Sequence, residues 1–253
     1  MGSIAVPMLS KKVVKFRKLI YQKCNVAGDE MTDKTETWPK ISMEGATALL
    51  VDAAGARFND DVQARIWALG SLLQATPGIL ETVPGMNNLM VVLDPFRIDP
   101  ASVETLIRDS WITLVPDAVP GRLVDVPVIY GGEKGEDLLI LAADKGMKPE
   151  DLVALHSTAI YGVAAVGAMP GFVYLSGLDP ALATPRRANP RMQVERGSVI
   201  IGGQQAGIMP VTAPSGWHIL GHTPYPLFDP HRDPPAAFRP GDRIRFTVEE
   251  IRT

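Results

Sequence analysis

The chain has 253 residues, 46% of them hydrophobic, which is enough to fill one large core or two small ones. Its net charge of −3 is unevenly distributed: residues 29–253 carry all 28 acidic residues but only 19 of the 25 basic ones, and an acidic body argues against nucleic-acid binding. The sequence contains no run of about 18 apolar residues that would predict a membrane-spanning helix, and its single cysteine, Cys24, excludes an internal disulfide and fits a reducing cytoplasm.

Residues 1–38 differ in composition from the rest of the chain. A basic stretch with a few apolar residues is followed by the polar stretch NVAGDEMTDKTETWPK, and no apolar segment has the length of a secretory signal. We therefore expect residues 1–38 to be a disordered extension, within which Met31 is a second candidate start.

Residues 39–118 contain alternating strand and helix signals. The stretch ISMEGATALLVDA predicts one strand, and the next segment predicts a helix capped by Asn59, with apolar residues at 4, 3, 4 spacing along one face. Two more strands, ILETVP and NNLMVVLD, precede a second helix that begins near Asp99 and Pro100. The β-α-β-β-α order predicts a small ferredoxin-like α/β sandwich.

A rise in proline and glycine around LVPDAVPGR predicts a domain boundary, and residues 121–253 follow another pattern. Strand-like runs, among them RLVDVPVIYG, DLLILAA, YGVAAVGA, SVIIGG and RIRFTVEEI, are separated by glycine and proline. One clear helix, KPEDLVALHS, has Pro149 at its first position. Many short strands with turn signals predict a closed or nearly closed β-barrel, so the predicted fold class is α+β.

The most unusual charged segment is PRRANPR, residues 185–191. Its prolines restrict the backbone, so Arg186, Arg187 and Arg191 are presented on a pre-organised loop. Guanidinium groups bind carboxylates and phosphates through paired hydrogen bonds, which predicts an anion site. The same pattern is equally typical of a surface loop whose arginines pair with the protein's own acids.

Other candidate residues each have two interpretations. The segment GAMPGFVYLSGLD either lines a pocket with Phe172 and Tyr174 or forms a barrel corner filled by aromatic rings. His156 either transfers a proton or is a cation at the C-terminus of a helix. The glycines and the proline around His218 and His222 do not favour a helical metal motif, so no metal site is predicted. The stretch GGEKGED lacks the ending of a P-loop, and a hairpin turn explains it.

Five blocks, several of them long, occur in order, and together they indicate a resemblance to one family that covers essentially residues 41–253. They are PVIYGGEKGEDL, LHSTAIYGVAAVGAMPGFVYLSGLD, PRRANPRMQVERGSVIIGGQQAGIMP, SGWHILGHTPYPLFD and PGDRIRF. They are similar to the signature blocks of the KipI family, which is also called the 5-oxoprolinase B subunit (PxpB) or allophanate hydrolase subunit 1 family. The resemblance implies a ferredoxin-like domain followed by a cyclophilin-like barrel.

The resemblance also implies a role in a complex. Such complexes open the amide ring of 5-oxoproline to glutamate with ATP, and related modules serve in urea carboxylase. The implied partners are a protein similar to the 5-oxoprolinase C subunit or allophanate hydrolase subunit 2, and a further protein similar to the 5-oxoprolinase A subunit. ATP is implied for the complex, with no site assigned in this chain. The alternative is a KipI-like regulatory protein that binds and inhibits a sensor histidine kinase.

The family pattern, transferred position by position, implies a set of site residues. The arginines would hold a carboxylate, Gln204 would bind an amide and His156 would transfer a proton. The implied catalytic residues are His156, Arg187 and Gln204, and the implied substrate-binding residues are Tyr161, Phe172, Tyr174, Arg186, Arg191, Ser198, Met209, Trp217 and His222. Departures from the pattern at Ala168, Met209, Ser215 and His222 leave a different small substrate or a non-catalytic role open.

Overall fold

The computed structural model describes residues 38–116 and 121–253. Apart from Trp38, the expected disordered extension lies outside the described residues, and so do residues 117–120, where the expected domain boundary falls. The domain limits 39–118 and 121–253 therefore stay a prediction. None of the helices in the described ranges is long and apolar enough to cross a membrane.

The first part of the described chain is a four-stranded antiparallel sheet with two helices on one face, here called the sheet layer. Its strands have the order β1-β2-β4-β3. The elements in chain order are β1 (Lys40–Glu44), β2 (Ala48–Asp52), α1 (Asp60–Gln74), β3 (Ile79–Pro84), β4 (Asn88–Leu93) and α2 (Pro100–Thr113). The interpretation of ISMEGATALLVDA as one strand is wrong, because it forms a hairpin that turns at Gly45, whose φ is 65°.

Local signals fix both helices of the sheet layer. The side chain of Asn59 accepts a hydrogen bond from the amide of Val62, and Asp99 caps α2 through the amide of Ser102. The apolar faces of the helices pack on alternate residues of the central strands. The resulting core contains Leu49, Val51, Ile66, Leu69, Leu73, Leu89, Val91, Leu93, Val103, Ile107 and Trp111.

The second part is a closed seven-stranded barrel with the strand order β10-β7-β6-β13-β5-β12-β9, and a separate two-stranded hairpin, β8 with β11. Mixed α/β content with a closed barrel is thus the architecture of the described chain. The elements are β5 (Leu123–Gly131), α3 (Leu138–Asp144), α4 (Pro149–Thr158), β6 (Ile160–Val166), β7 (Val173–Ser176), β8 (Arg191–Val194), β9 (Ser198–Gly202), β10 (Gln205–Ile208), β11 (Ala213–Ser215), β12 (His218–His222) and β13 (Arg243–Arg252).

One predicted strand of the barrel is instead a helix. The run DLLILAA was interpreted as a strand, but residues Leu138–Asp144 form α3. Leu138, Leu141 and Ala142 are buried, whereas Leu139 and Ile140 are exposed. This is the three-and-four spacing of a helix, which a run of only seven residues shows too briefly to be separated from a buried strand.

Two side chains of α1 connect the sheet layer to the barrel. The pairing between β6 and β7 shifts register between Val163 and Ala165, so Ala164 has no partner in this ladder. Its carbonyl accepts hydrogen bonds from Nε2 of Gln63, at 3.1 Å, and from Nε1 of Trp67, at 3.0 Å. A bulge in one barrel strand therefore supplies the acceptor that positions the sheet layer.

Candidate functional site

A cleft of about 790 Å³ lies between the sheet layer and the barrel. Residues 54–58 and 86–87, together with Asp60, form its sheet-layer wall. Residues 176–178 and 202–205 belong to the barrel wall. The volume is in the range of about 300–1,000 Å³ that is typical of small-molecule sites, and such sites occur preferentially where two structural units meet.

The barrel wall presents Arg186 on backbone that is fixed on both sides. The carbonyl of Pro185 hydrogen-bonds to Nε2 of His218, and the amide of Arg187 donates to the carbonyl of Gly216. The guanidinium of Arg186 lies over the indole ring of Trp217, 5.5 Å from its centroid. Arg186 is exposed and lines the cleft, so it is a pre-organised cation facing the open volume.

Gln204 and Arg186 line the same wall of the cleft, and two backbone hydrogen bonds join their segments. Thr184 and Gly203 exchange amide-to-carbonyl hydrogen bonds of 3.0 and 2.7 Å. Gly203 has a φ of 63°, which allows the chain to turn between β9 and β10 and places Gln204 at the tip. Gln204 and Gln205 both line the cleft, which gives this wall two amide groups next to one cation.

The sheet-layer wall is organised by Asn87. Its backbone carbonyl accepts from the amide of Ala53, and its side chain exchanges two hydrogen bonds of 2.8 Å with the backbone of Asn59. Asn87 thus fastens both ends of the loop that carries Arg57. Asn87 is 2% exposed and has a φ of 56°, a conformation that costs energy and is concentrated at functional sites.

Gln63 links this wall to the barrel. Its Oε1 accepts from the amide of Asn87 at 2.6 Å, and its Nε2 donates to the carbonyls of Gly85 and Ala164. Both polar atoms of this buried side chain, Oε1 and Nε2, are therefore hydrogen-bonded. The chain of contacts from Ala164 through Gln63 to Asn87 fixes the two walls of the cleft relative to each other.

The predicted aromatic residues form a cluster beneath Arg186. The ring centroids of Phe172 and Tyr174 are 4.8 Å apart, and those of Phe172 and Trp217 are 5.9 Å apart, both edge to face. Met209 packs in the same apolar cluster. Trp217 lies against Gly202 so closely that a Cβ there would be 2.8 Å from the indole. Of these residues, Trp217 supports the cleft by holding the guanidinium of Arg186.

Arg187 and Arg191 bind a carboxylate of the protein itself. Arg191 forms two hydrogen bonds with Asp137, at 2.8 and 2.9 Å, and Arg187 forms one at 3.2 Å. Burial would raise the pKa of Asp137, but hydrogen bonds from Arg191 and from the amide of Ile219 outweigh it and lower the pKa below its ordinary value. For these two arginines the structure shows pairing with the protein's own acids, the second interpretation of the loop.

The structure does not bring His156 and Tyr161 into the cleft. Both are fully buried in the barrel core, where His156 stacks on Phe246 with centroids 4.7 Å apart. Nδ1 of His156 hydrogen-bonds to the hydroxyl of Tyr130, and the hydroxyl of Tyr161 donates to the backbone carbonyl of His156. Burial lowers the pKa of His156 to about 3, so the ring is neutral near pH 7. The helix-cation interpretation of His156 also does not describe this environment.

Ser198 and His222 lie at the other end of β9 from the cleft. They pair across β9 and β12, and Nε2 of His222 hydrogen-bonds to the carbonyl of Arg196 at 3.1 Å. Four residues of strand, about 13 Å, separate Ser198 from Gly202. The residues predicted for one site are thus distributed over the cleft, the aromatic cluster, the Asp137 ion pairs, the barrel core and this far end.

The glycine-rich stretch at the end of β5 does not form the predicted hairpin turn, because residues Gly132–Lys134 form a 3₁₀ turn ahead of α3. Its glycines pack closely on backbone. A Cβ at Gly131 would be 2.0 Å from the carbonyl oxygen of Arg252, and one at Gly135 would be 2.5 Å from that of Leu220. Lys134 pairs with Glu195 at 3.1 Å. These glycines allow close approach of strands, and the stretch does not fit a cradle for phosphate groups.

Sequence reasoning missed Arg57, Asn87 and Gln63. Arg57 is one arginine in an ordinary loop, and its neighbourhood in the cleft arises from contacts more than 100 residues apart in sequence, such as that of Gln63 with Ala164. The one local signal was the pair Asn87-Asn88 at the start of β4, since Asn tolerates positive φ. That signal indicates a turn and says nothing of a cleft.

Comparisons with known proteins cover both parts of the described chain. A family model, carboxyltransferase domain, subdomain C and D, matches residues 39–238. The chain is similar to the 5-oxoprolinase B subunit of Escherichia coli, with 44% identity over 191 residues, 74% of this chain and 86% of that protein. It is also similar to the 5-oxoprolinase B subunit of Bacillus subtilis, with 33% identity over 220 residues, 82% of this chain and 91% of that protein.

Solved structures show the same fold. The crystal structure of TTHA0988 matches with a TM-score of 0.70 and 36% identity, and the match covers 80% of this chain and 40% of that one. The urea amidolyase of Kluyveromyces lactis matches with a TM-score of 0.71 and 19% identity, over 87% of this chain and 15% of that one. This chain therefore spans less than half the length of either solved relative.

Proposed function

The chain belongs to the carboxyltransferase subdomain C and D family, in the branch of the 5-oxoprolinase B subunit (PxpB) and allophanate hydrolase subunit 1, and we propose that it is the B subunit of a 5-oxoprolinase-type complex. The observation that carries the proposal is the agreement of three curated relatives. All three are named as the B subunit of 5-oxoprolinase, at 33–44% identity over 86–91% of their length. The alternative, inhibition of a sensor histidine kinase, is not favoured by these relatives.

We also propose a finer description of the fold, which the strand order supports. Strands β2, β3 and β4 with α1 and α2 have the connections of a ferredoxin-like unit, and β1 occupies the edge beside β2 where the last strand of that unit usually lies. On this ground we propose that the sheet layer is ferredoxin-like, and the family resemblance supports the proposal that the barrel is cyclophilin-like.

The proposed reaction of the complex is ATP-dependent opening of the 5-oxoproline ring to glutamate, which breaks the amide bond and adds water. The residues that line the cleft in the described part of the chain include no histidine and no cysteine. Neutral, buried His156 does not reach the cleft. The one carboxylate in the described lining, that of Asp60, lies in the first turn of α1 and suits substrate binding. We therefore assign binding and orientation of substrate to this chain and proton transfer to a partner protein similar to the 5-oxoprolinase C subunit.

ATP enters the proposal only for the whole complex. The glycine-rich stretch at residues 131–135 does not fit phosphate groups, so no step that involves ATP is assigned to this chain. A further partner, similar to the 5-oxoprolinase A subunit, is the proposed place of ATP use, and the cytoplasm is the proposed compartment.

Reconstitution tests this proposal. The chain should be co-expressed with the proteins encoded beside it, and the purified complex assayed for glutamate release from 5-oxoproline with and without ATP. We expect the three proteins to elute together and to release glutamate only with ATP and only when this chain is present. An intact complex that releases no glutamate from 5-oxoproline with ATP would overturn the proposal.

A further inference from the structure

The charged side chains of the cleft between the sheet layer and the barrel form no ion pair within the described part of the chain. The charged residues that line the cleft are Arg57, Asp60 and Arg186. Within residues 38–116 and 121–253, the ion pairs of arginine involve other arginines, and neither Arg57 nor Arg186 takes part. The two cations and one carboxylate leave one net positive charge facing the open volume.

The two arginines are held from opposite walls. Arg186 is fixed by its anchored neighbours and by the indole of Trp217, and Arg57 belongs to the loop that Asn87 fastens at both ends. Both side chains are exposed, so the protein keeps two guanidinium groups at one cleft, and neither forms an ion pair within the described part of the chain. Pre-organised guanidinium groups bind carboxylates with little loss of conformational entropy.

The remaining polar groups suit an amide. Gln204 and Gln205 on the barrel wall have amide N–H donors, and the carboxylate of Asp60 is an acceptor on the opposite wall. A cyclic amide has one carbonyl that accepts and one N–H that donates. The cleft therefore offers a partner to each polar group of a small acid that carries a lactam, and its net charge is opposite to that of the acid.

We propose that this cleft is the site for a small lactam carboxylate, with Arg57 and Arg186 binding the carboxylate, Gln204 and Gln205 donating to the lactam carbonyl, and Asp60 accepting from the lactam N–H. The inference deepens the proposed function and rests on it for the identity of the ligand, 5-oxoproline. It assigns a role to Arg57, which sequence patterns did not indicate. Of the three arginines predicted to bind an anion in residues 185–191, it assigns this role to Arg186 alone.

Equilibrium binding by the full chain tests the site. Calorimetric titrations would use L-5-oxoproline, cyclopentanecarboxylate, which has the carboxylate and no amide, and 2-pyrrolidinone, which has the lactam and no carboxylate. We expect 5-oxoproline to bind more tightly than either fragment. Arg57→Gln and Arg186→Gln should each weaken the binding of 5-oxoproline by about tenfold or more, because each removes hydrogen bonds to a charged group.

Arg97→Gln is the matched control, because Arg97 is an exposed arginine of the sheet layer that pairs with Asp94 and does not line the cleft. It should bind 5-oxoproline like the unchanged chain, and circular dichroism should show that all three variants are folded. Equal affinity of the Arg57 and Arg186 variants and the control would overturn the site, as would 2-pyrrolidinone binding as tightly as 5-oxoproline. If the full chain alone binds none of the three compounds, the titration is repeated on the reconstituted complex, and absence of binding there also overturns it.

The two proposals fail separately. Arginine-dependent binding of 5-oxoproline by a chain whose complex releases no glutamate would leave the site intact and overturn the function. An active complex whose affinity for 5-oxoproline does not depend on Arg57 or Arg186 would leave the function intact and overturn the site.

Discussion

At the scale of single residues, contact with one carboxylate, that of Asp137, distinguishes two of the three arginines in residues 185–191 from the third. Asp137 is 1% exposed, and it accepts hydrogen bonds from Arg187, Arg191 and the amide of Ile219. The charge of these two arginines is thus used to satisfy a buried anion. Arg186 differs because its guanidinium lies over Trp217 and lines the cleft, where it remains available to a ligand.

Removal of Arg191 should therefore lower stability. Arg191→Ala leaves the carboxylate of Asp137 buried with fewer partners, and we expect the free energy of unfolding to fall by about 3 kcal/mol. Urea denaturation at pH 7 measures this change. Arg245→Ala is the matched control, because Arg245 also forms two hydrogen bonds with an aspartate, Asp125, but at the exposed surface. That variant should change stability little, and an equally small change for Arg191→Ala would contradict the structural role.

The burial of His156 predicts a pH dependence of stability. Its pKa is about 3 in the folded chain and about 6.5 when unfolded, so the unfolded chain binds the additional proton between these values. The contribution of neutral, buried His156 to the free energy of unfolding is therefore present above about pH 6.5 and is lost as the pH falls. Between about pH 6.5 and pH 5 we expect a loss of about 1.5 kcal/mol from this residue.

Urea denaturation across this range, on the unchanged chain and on His156→Gln, measures the contribution. The pKa of His222 is also lowered, by burial first and then by nearby Lys134, so the comparison is made between proteins at each pH. The His156→Gln variant should have the flatter profile, and His231→Gln, at an exposed histidine, should keep the original one. Identical profiles for the His156→Gln variant and the unchanged chain would show that the ring is accessible to protons, as a catalytic role requires.

Residue types could be predicted from sequence more readily than their partners. The family pattern indicated Arg186 and Gln204, and both line the cleft. It also indicated His156 and Arg187, whose surroundings depend on Tyr130 and Asp137, 26 and 50 residues away along the chain. A pattern of residue types contains no information on such long-range pairing, which decides whether a polar side chain is free or already bound.

At the scale of elements, the longer helices and most strands were predicted correctly, whereas one short helix and one hairpin were not. Helix α1 repeats its apolar spacing over 15 residues and begins at a side-chain cap, so the sequence specifies it. Helix α3 has seven residues, and the hairpin of β1 and β2 turns over three, so neither contains enough repeats to be distinguished from a strand. The bulge in β6, which supplies the acceptor for α1, has no local sequence signal.

The contact between α1 and β6 should be essential for both stability and the cleft. Gln63→Leu removes the hydrogen bonds to Asn87, Gly85 and Ala164 and leaves buried polar groups without partners, so we expect a loss of about 2–4 kcal/mol. Hydrogen exchange at residues 53–59 should also become faster, because Asn87 no longer holds that loop rigidly.

Gln74→Leu is the matched control for this change. Gln74 lies on the same helix, but its hydrogen bonds to Thr82 are exposed, so water replaces them in the variant. It should change stability by less than about 1 kcal/mol and leave exchange at residues 53–59 unaltered. Unaltered exchange in the Gln63 variant as well would contradict the positioning role of Gln63.

At the scale of the whole molecule, the cleft requires both parts of the chain. The sheet layer contributes Arg57 and Asp60, the barrel contributes Arg186 and Gln204, and the family model extends over both parts. The order of the two parts could be predicted from composition and from the family blocks. The relative placement of the two parts could not be predicted from sequence, because it depends on hydrogen bonds from Gln63 and Trp67 of α1 to the carbonyl of Ala164 at the bulge in β6.

The central claim is that this chain supplies the substrate-binding cleft of a 5-oxoprolinase-type complex. The most direct test is the KM for 5-oxoproline of the reconstituted complex that contains the Arg186→Gln chain, compared with the complex that contains the Arg97→Gln chain. We expect a KM about tenfold or more higher for Arg186→Gln, with kcat changed much less, because the lost contact binds the substrate carboxylate and not the reacting amide. Equal KM values for the two complexes would contradict it.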